Sequence, residues 1–200
     1  MLKVSKMTGK LEGLEAISTS PLDNEYCQRM SAGGVGICEH CYSCSMLNGL
    51  RKNCRPAWKR NGEILSSRIL SDDEIAQIKF KSDIIRFNAH GELINEIHFK
   101  NLVNIARLNP KRTFALWTKR VSLVQSVDKE KPHNLIIIKS SVQLNKAEPL
   151  PRGFDKVFTV FNKDFVQKNN IDIQCGKRKC KDCQLCYSKN DIIYVNELLK

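Results

Sequence analysis

The sequence predicts an α/β fold: a partial (β/α) barrel or an open, mostly parallel sheet of about six strands, with cysteine-rich loops at the strand carboxyl ends. Three observations carry this. Short strand-like runs alternate with helical patterns along the middle of the chain. Residues 93–109 place Ile94, Ile97, Leu102, Ile105 and Leu108 at helical spacing ahead of Pro110, which stops the run. Residues 134–139 (NLIIIK) are almost continuously apolar, as suits a strand buried on both faces.

The elements follow in order. Residues 11–19 (LEGLEAIST) suit a first short strand, and residues 20–37 read as a long irregular stretch. A loop of that length inside a compact domain is usually functional or disordered, and here it leads straight into the first cysteines, which favours function. Residues 38–67 are helical in pattern, interrupted near Pro56. Ser71 and Glu74 form the S-x-x-E signature of a capping box, so a helix starts there. Strands are expected over 83–88 (DIIRFN), 113–118 (TFALWT), 134–139 and 156–161 (KVFTVF). Short helical pieces are expected over 122–127 and 163–168, and the closing DIIYVNELLK suits a strand or a helix. Residues 1–174 are read as the α/β core, with an N-terminal cysteine loop over 20–54. Residues 175–200 are read as a cysteine-rich, metal-binding segment packed on that core.

A chain of 200 residues can bury a core without disulfide staples. Its first residues lack the apolar run of a secretory signal, and no apolar stretch is long enough to span a bilayer. A cytoplasmic, reducing location without membrane contact is the expectation, and there clustered cysteines are more often metal ligands than disulfides. The oligomeric state is not legible.

The nine cysteines fall into two bunches with none between residues 55 and 174. In the first, Cys27 is followed by Cys38, Cys41 and Cys44 in C-x2-C-x2-C spacing, with Cys54 beyond. On the start of a helix, Cys38 and Cys41 would share a face as i and i+3. Three thiolates would leave one position of a 4Fe–4S cluster open, whereas four would close it; for zinc the same distinction separates catalytic from structural sites. The second bunch, Cys175, Cys180, Cys183 and Cys186, packs four thiols into twelve residues among Lys, Arg, Asp and Gly, which is no core segment. Both iron–sulfur and zinc accept such a set, so one or two 4Fe–4S clusters are expected, with zinc as the alternative. The metal ligands singled out are Cys27, Cys38, Cys41, Cys175, Cys180, Cys183 and Cys186. Cys44 and Cys54 are equally readable as small buried hydrophobes.

After the second strand comes RFNAHGEL, residues 86–93. Gly91 and Glu92 there offer a flexible backbone and a carboxylate that would suit an ammonium group, although Glu92 would equally favour a helix N-terminus. Arg86, Gly91 and Glu92 are the candidate cofactor-binding residues. No phosphate-binding glycine loop, zinc-protease motif or nucleophile elbow is present, and no catalytic residue is assigned.

The net charge of +12 gathers in RKNCRPAWKR (51–60), KRTFALWTKR (111–120) and GKRKCKDC (176–183). Such an excess favours polyanions, and nucleic acid is the candidate partner. Lys177, Arg178, Lys179, Arg51, Lys52 and Arg55 would contact phosphates, with Trp58 and Trp117 as candidate stacking surfaces.

The run KMTGKLEGLEAIST, the C-x-x-C-Y-S at 38–43 with its helix ending RNGEILS, and IIRFNAHGELINEIHFKNLVNIARLNPKRTFALWTKR resemble the phage family known as gene product 88. Arg86, Gly91, Glu92, Pro110, Thr118 and Lys119 match its central motif. A more distant likeness is to radical S-adenosylmethionine enzymes, which also run strand, cysteine loop, helix, then strand ending in Gly-Glu. That resemblance implies three cysteines, here Cys27, Cys38 and Cys41, on a 4Fe–4S cluster whose free iron takes S-adenosylmethionine. His90-Gly91-Glu92 would stand for the Gly-Gly-Glu that meets its amino group, and the C-terminal four would hold an auxiliary cluster. The first reading is thus an iron–sulfur protein of phage or mobile-element type, a radical S-adenosylmethionine-like enzyme acting on nucleic acid or a nucleotide. The alternative is a non-enzymatic, zinc- or cluster-stabilised nucleic-acid-binding protein.

Overall fold

Seven strands form a single sheet in sequence order, which fixes where every loop emerges. The computed structural model describes residues 1–34, 36–127, 131–176 and 178–199. A two-residue β1 (Ser5–Lys6) runs antiparallel to β2 (Glu15–Ile17). Next come β3 (Ile84–Phe87), β4 (Thr113–Thr118), β5 (Leu135–Ser140), β6 (Lys156–Phe161) and β7 (Tyr194–Leu198), each parallel to its predecessor. The sheet stays open, since β1 and β7 are its two edges. The strand count exceeds the expected six because β1 is too short to leave an alternating pattern. Within the closing DIIYVNELLK, Tyr194–Leu198 form β7, so the C-terminal cysteine segment leads into the same sheet.

Sequential order means that every crossover steps in the same direction. Right-handed crossovers then put the connecting helices of residues 55–125 on one face, while the four-residue helix at Cys180–Cys183 lies with the opposite one. The cores agree. Ile17, Ile85, Phe87, Phe114, Leu116, Leu135 and Ile137 pack outward against the helices. Ala16, Ala115, Trp117, Ile136, Ile138 and Val195 point inward, where Cys186 and Tyr187 cover them.

The helices are α1 (Glu25–Ala32), α2 (Tyr42–Asn48), α3 (Arg55–Ser67), α4 (Asp72–Ala76), α5 (Glu96–Arg107), α6 (Val121–Gln125), α7 (Lys163–Asn169) and α8 (Cys180–Cys183). The longest apolar stripe, on α5, buries Phe99, Leu102 and Ile105 at about 2 kcal/mol each. Asn95 caps that helix by accepting from His98 N at 2.9 Å. The Ser71–Glu74 capping box at α4 is present in full. No helix of the described residues is long and apolar enough to cross a membrane.

Two expectations need correcting. The stretch 20–37 is not irregular throughout. Asn24 accepts from Tyr26 N and Cys27 N and starts α1, a helix that buries no side chain and so carries no apolar stripe to read. Pro56 does not interrupt a helix. It sits in the first turn of α3, where its missing N–H costs nothing, and the break lies at residues 49–54.

Candidate functional site

β2 ends at Ile17, and the chain leaves the carboxyl edge of the sheet through Ser18, Thr19 and Ser20 into α1. Cys27 lies on α1, Cys38 ends a 3-10 turn (Gly36–Cys38), Cys41 is the N-cap of α2, and Cys44 lies within α2. Cys38 and Cys41 therefore do not share a helix face as expected, because the helix begins only at Tyr42. Even so, the thiols lie in one neighbourhood: Cys27 is within electrostatic reach of Cys38, Cys41, Cys44 and Glu92. Cys54 stands apart at the N-cap of α3.

The cysteine loop is pinned across the mouth of the sheet. Ile37 N donates to Val142 O at 2.9 Å, beyond the end of β5. Gly36 has φ +53, and a Cβ there would lie 2.2 Å from that same carbonyl. From the β3 side, His90 holds α2. Its ring stacks on Trp58 at 4.4 Å and Tyr42 at 5.9 Å, and its Nδ1 shares a 3.1 Å hydrogen bond with Ser43 Oγ. Burial, then Arg51 and Arg86, lowers its pKa to about 4, so the ring is neutral near pH 7.

Gly91 and Glu92 are built into this junction. Thr19 N donates to His90 O, and a Cβ on Gly91 would overlap Thr19. Glu92 is buried and its carboxylate accepts from Leu93 N (2.7 Å), Thr118 Oγ1 (2.5 Å) and Lys119 N (2.8 Å). A carboxylate has about four lone-pair positions, so three internal donors leave about one for a ligand. Lys119 Nζ donates to Ser140 Oγ and bears on Cys38.

Arg86 is farther down the inner face. Its register neighbours are Ala16 and Ala115, which leave room for its guanidinium to lie 3.9 Å from the Trp117 ring centroid. Its charge reaches His90 on one side and Cys180, Cys186 and Tyr187 on the other. Its buried Nε has no hydrogen-bond partner, and its guanidinium lies beside the buried Tyr187 hydroxyl.

The C-terminal thiols sit beneath, against residues 9–13. Lys10 Nζ donates to Cys175 Sγ (2.9 Å) and Glu197 Oε1 (2.7 Å), and Lys179 pairs with Glu12. A small cavity of about 20 Å³ is lined by Cys175, Cys180, Cys183 and Cys186. Thus the two bunches form separate groups, with Arg86 between them. All nine cysteines are free thiols. Among the described residues, no three His, Cys, Asp or Glu side chains are placed to hold a single metal ion.

A family model for gene product 88 matches residues 5–189. The chain belongs to the gene product 88 family. No curated protein and no solved structure matches it.

In this gene product 88 family member, several sequence readings shift. Trp58 and Trp117 are buried, so neither offers a face for base stacking. Of the residues expected on phosphates, Arg55 is paired with Asp23 and Lys179 with Glu12. Arg51 donates to Thr8, Arg178 approaches Cys183 Sγ at 3.9 Å, and Lys177 lies outside the described residues. The clamp of His90 by Trp58 and Tyr42 was missed, since aromatic residues far apart in sequence give no spacing signal.

Burial holds the Cys44 and Cys186 thiols up to about 12 and pushes Cys27 upward as well. In the unfolded chain a thiol ionises near pH 8.5. Above that, the folded metal-free protein holds more protons than the unfolded chain, so stability falls as pH rises. Metal-free protein should therefore keep its Tm from pH 7 to 8 and lose it steadily above about pH 9. Cys44→Ala should shallow that fall in thermal melts; equal slopes for both proteins would contradict a buried neutral Cys44.

Proposed function

We propose that this family member is an iron–sulfur protein whose N-terminal thiols bind a 4Fe–4S cluster, and that this site takes S-adenosylmethionine. The observation that carries the reading is that Cys38, Cys41 and Cys44 lie in one neighbourhood with Cys27, within its electrostatic reach and beside Glu92, on the loop that leaves the carboxyl end of the sheet. Ligands of parallel α/β sheets bind at that end. The strand order supports the same comparison: sequential parallel strands, a thiol loop after the first of them and Gly91-Glu92 after the second.

The donor chemistry fits. Free, half-buried thiols suit a thiophilic centre, and nearby Lys119 offsets the charge of the bound thiolates. The bound cluster would supply an electron for reductive cleavage of the sulfonium ligand. The chain's own residues bind and orient. Glu92 has one oxygen position left for an ammonium group, Gly91 lets β2 and β3 close on each other, and His90 fixes the loop carrying Cys41 and Cys44. Cys175, Cys180, Cys183 and Cys186 form the second, auxiliary metal site.

The test is iron, acid-labile sulfide and zinc per chain in anaerobically purified protein. About eight irons with equal sulfide is the expected result. Cys41→Ala should remove about half. Zinc without sulfide would overturn the cluster reading, and loaded protein that never cleaves S-adenosylmethionine under strong reductant would overturn the ligand.

A further inference from the structure

The opposite, amino end of the sheet carries a second concavity. It is an open cleft of about 420 Å³ between the starts of β4 and β5 and the C-terminal cysteine segment. That volume lies within the usual range for small-ligand sites. Lys111, Arg112, His133 and Lys189 line it, and among the described residues no Asp or Glu does. Most basic side chains of this protein that carry an assigned contact meet a carboxylate or a carbonyl. Here Lys111 and Lys189 are exposed and have no carboxylate partner among the described residues.

The cleft is also built. The Asn134 amide, buried on the floor, donates to Ala106 O (2.9 Å), Asn109 O (3.0 Å) and Arg112 O (2.9 Å). Three carbonyls on one amide lock the turn that carries Lys111 and Arg112. Arg112 is held in turn by donating to Phe80 O at 2.9 Å, and the carboxylate it pairs with among the described residues, Asp83 at 3.8 Å, is almost wholly in solvent. Tyr187, packed at 5.5 Å on Trp117, anchors the far wall. A guanidinium fixed in place before binding loses little freedom on meeting an anion.

We infer that this cleft is a binding site for the phosphate group of a nucleotide or of a nucleic-acid strand. A phosphate oxyanion matches a cleft whose Lys111 and Lys189 have no carboxylate partner among the described residues and whose Arg112 meets only a solvent-exposed one, and guanidinium geometry suits it bidentately. The site is distinct from the thiol loop, at the other end of the strands, and needs no activity there. Its far wall is the C-terminal thiol segment, so a metal in that segment would steady the cleft.

The test uses full-length, metal-loaded protein and a fluorescein-labelled single-stranded 12-mer in polarisation titrations, with unlabelled nucleoside monophosphate as competitor. Lys111→Glu with Lys189→Glu should weaken binding at least tenfold and lower the salt slope by about 1.4, the share of two contacts. Lys163→Glu with Lys168→Glu makes the same charge change on α7 and should cost less than twofold. Competition by the monophosphate identifies a free nucleotide as the ligand; binding of the strand without competition identifies the strand backbone; either supports the site. Equal losses in the two double variants, or no binding of either probe, would overturn it.

Discussion

Gly91→Ala is expected to cost about 4 kcal/mol of folding stability and to strip metal from the N-terminal thiols. The backbone at Gly91 has φ +86, which an L side chain rarely adopts. That strain alone is about 1–2 kcal/mol. The larger part is steric. The new Cβ would lie 2.3 Å from Thr19 Oγ1 and 2.4 Å from Thr19 O. The carbonyl is backbone, so rotating a side chain does not relieve the overlap; the ends of β2 and β3 must part. That breaks the Thr19 N to His90 O bond and shifts both His90 and Glu92. Gly9→Ala is the control, since Gly9 has φ +63 and nothing within 4 Å, and it should lose only about 1 kcal/mol. Urea denaturation of the three proteins separates the terms. Equal losses at positions 9 and 91 would mean that the two strand ends do not abut as described.

This junction also shows what a sequence carries and what it hides. Strands 113–118 and 156–161 were legible to the residue because each is a short run of apolar and β-branched residues between polar breaks. The helix at 96–107 was legible from its stripe. Arg86 stood out from its place in RFNAHGEL and in the motif shared with the gene product 88 family. What it faces was not legible, because Ala16 and Ala115 become its neighbours only through the pairing of three strands. The same holds for Glu92. A helix-cap reading follows from its own neighbours, whereas two of its donors, Thr118 and Lys119, lie at and just beyond the end of the next strand. α1 escaped notice because Asn24, not an apolar face, defines it. Spacing thus identified the thiols, while tertiary pairing decided how they group.

The second large effect concerns the inner face of the sheet. The longer helices cover the outer face, whereas Ala16, Ala115, Trp117, Ile136, Ile138 and Val195 on the inner face are covered by Met7, Leu11 and Leu14 and by residues 175–187, which include only the four-residue α8. That segment is mostly polar. Its buried anchors are Cys186 and Tyr187, and Tyr187 contributes about 2–3 kcal/mol by burial. Ordering a dozen residues costs more than one aromatic anchor returns. A metal on Cys175, Cys180, Cys183 and Cys186 would make up the difference, because binding energy at such a site is folding energy. Cys180→Ser with Cys183→Ser is therefore expected to lower metal content by about half while leaving the N-terminal site loaded. Trp117 emission should shift to the red, and protease should cut within residues 176–185. Cys54→Ser, outside both thiol groups, should do neither. Should metal fall while Trp117 stays protected, β7 and Tyr187 alone hold the cover in place. The metal would then serve chemistry at the inner face, beside Arg86, and not the integrity of the sheet.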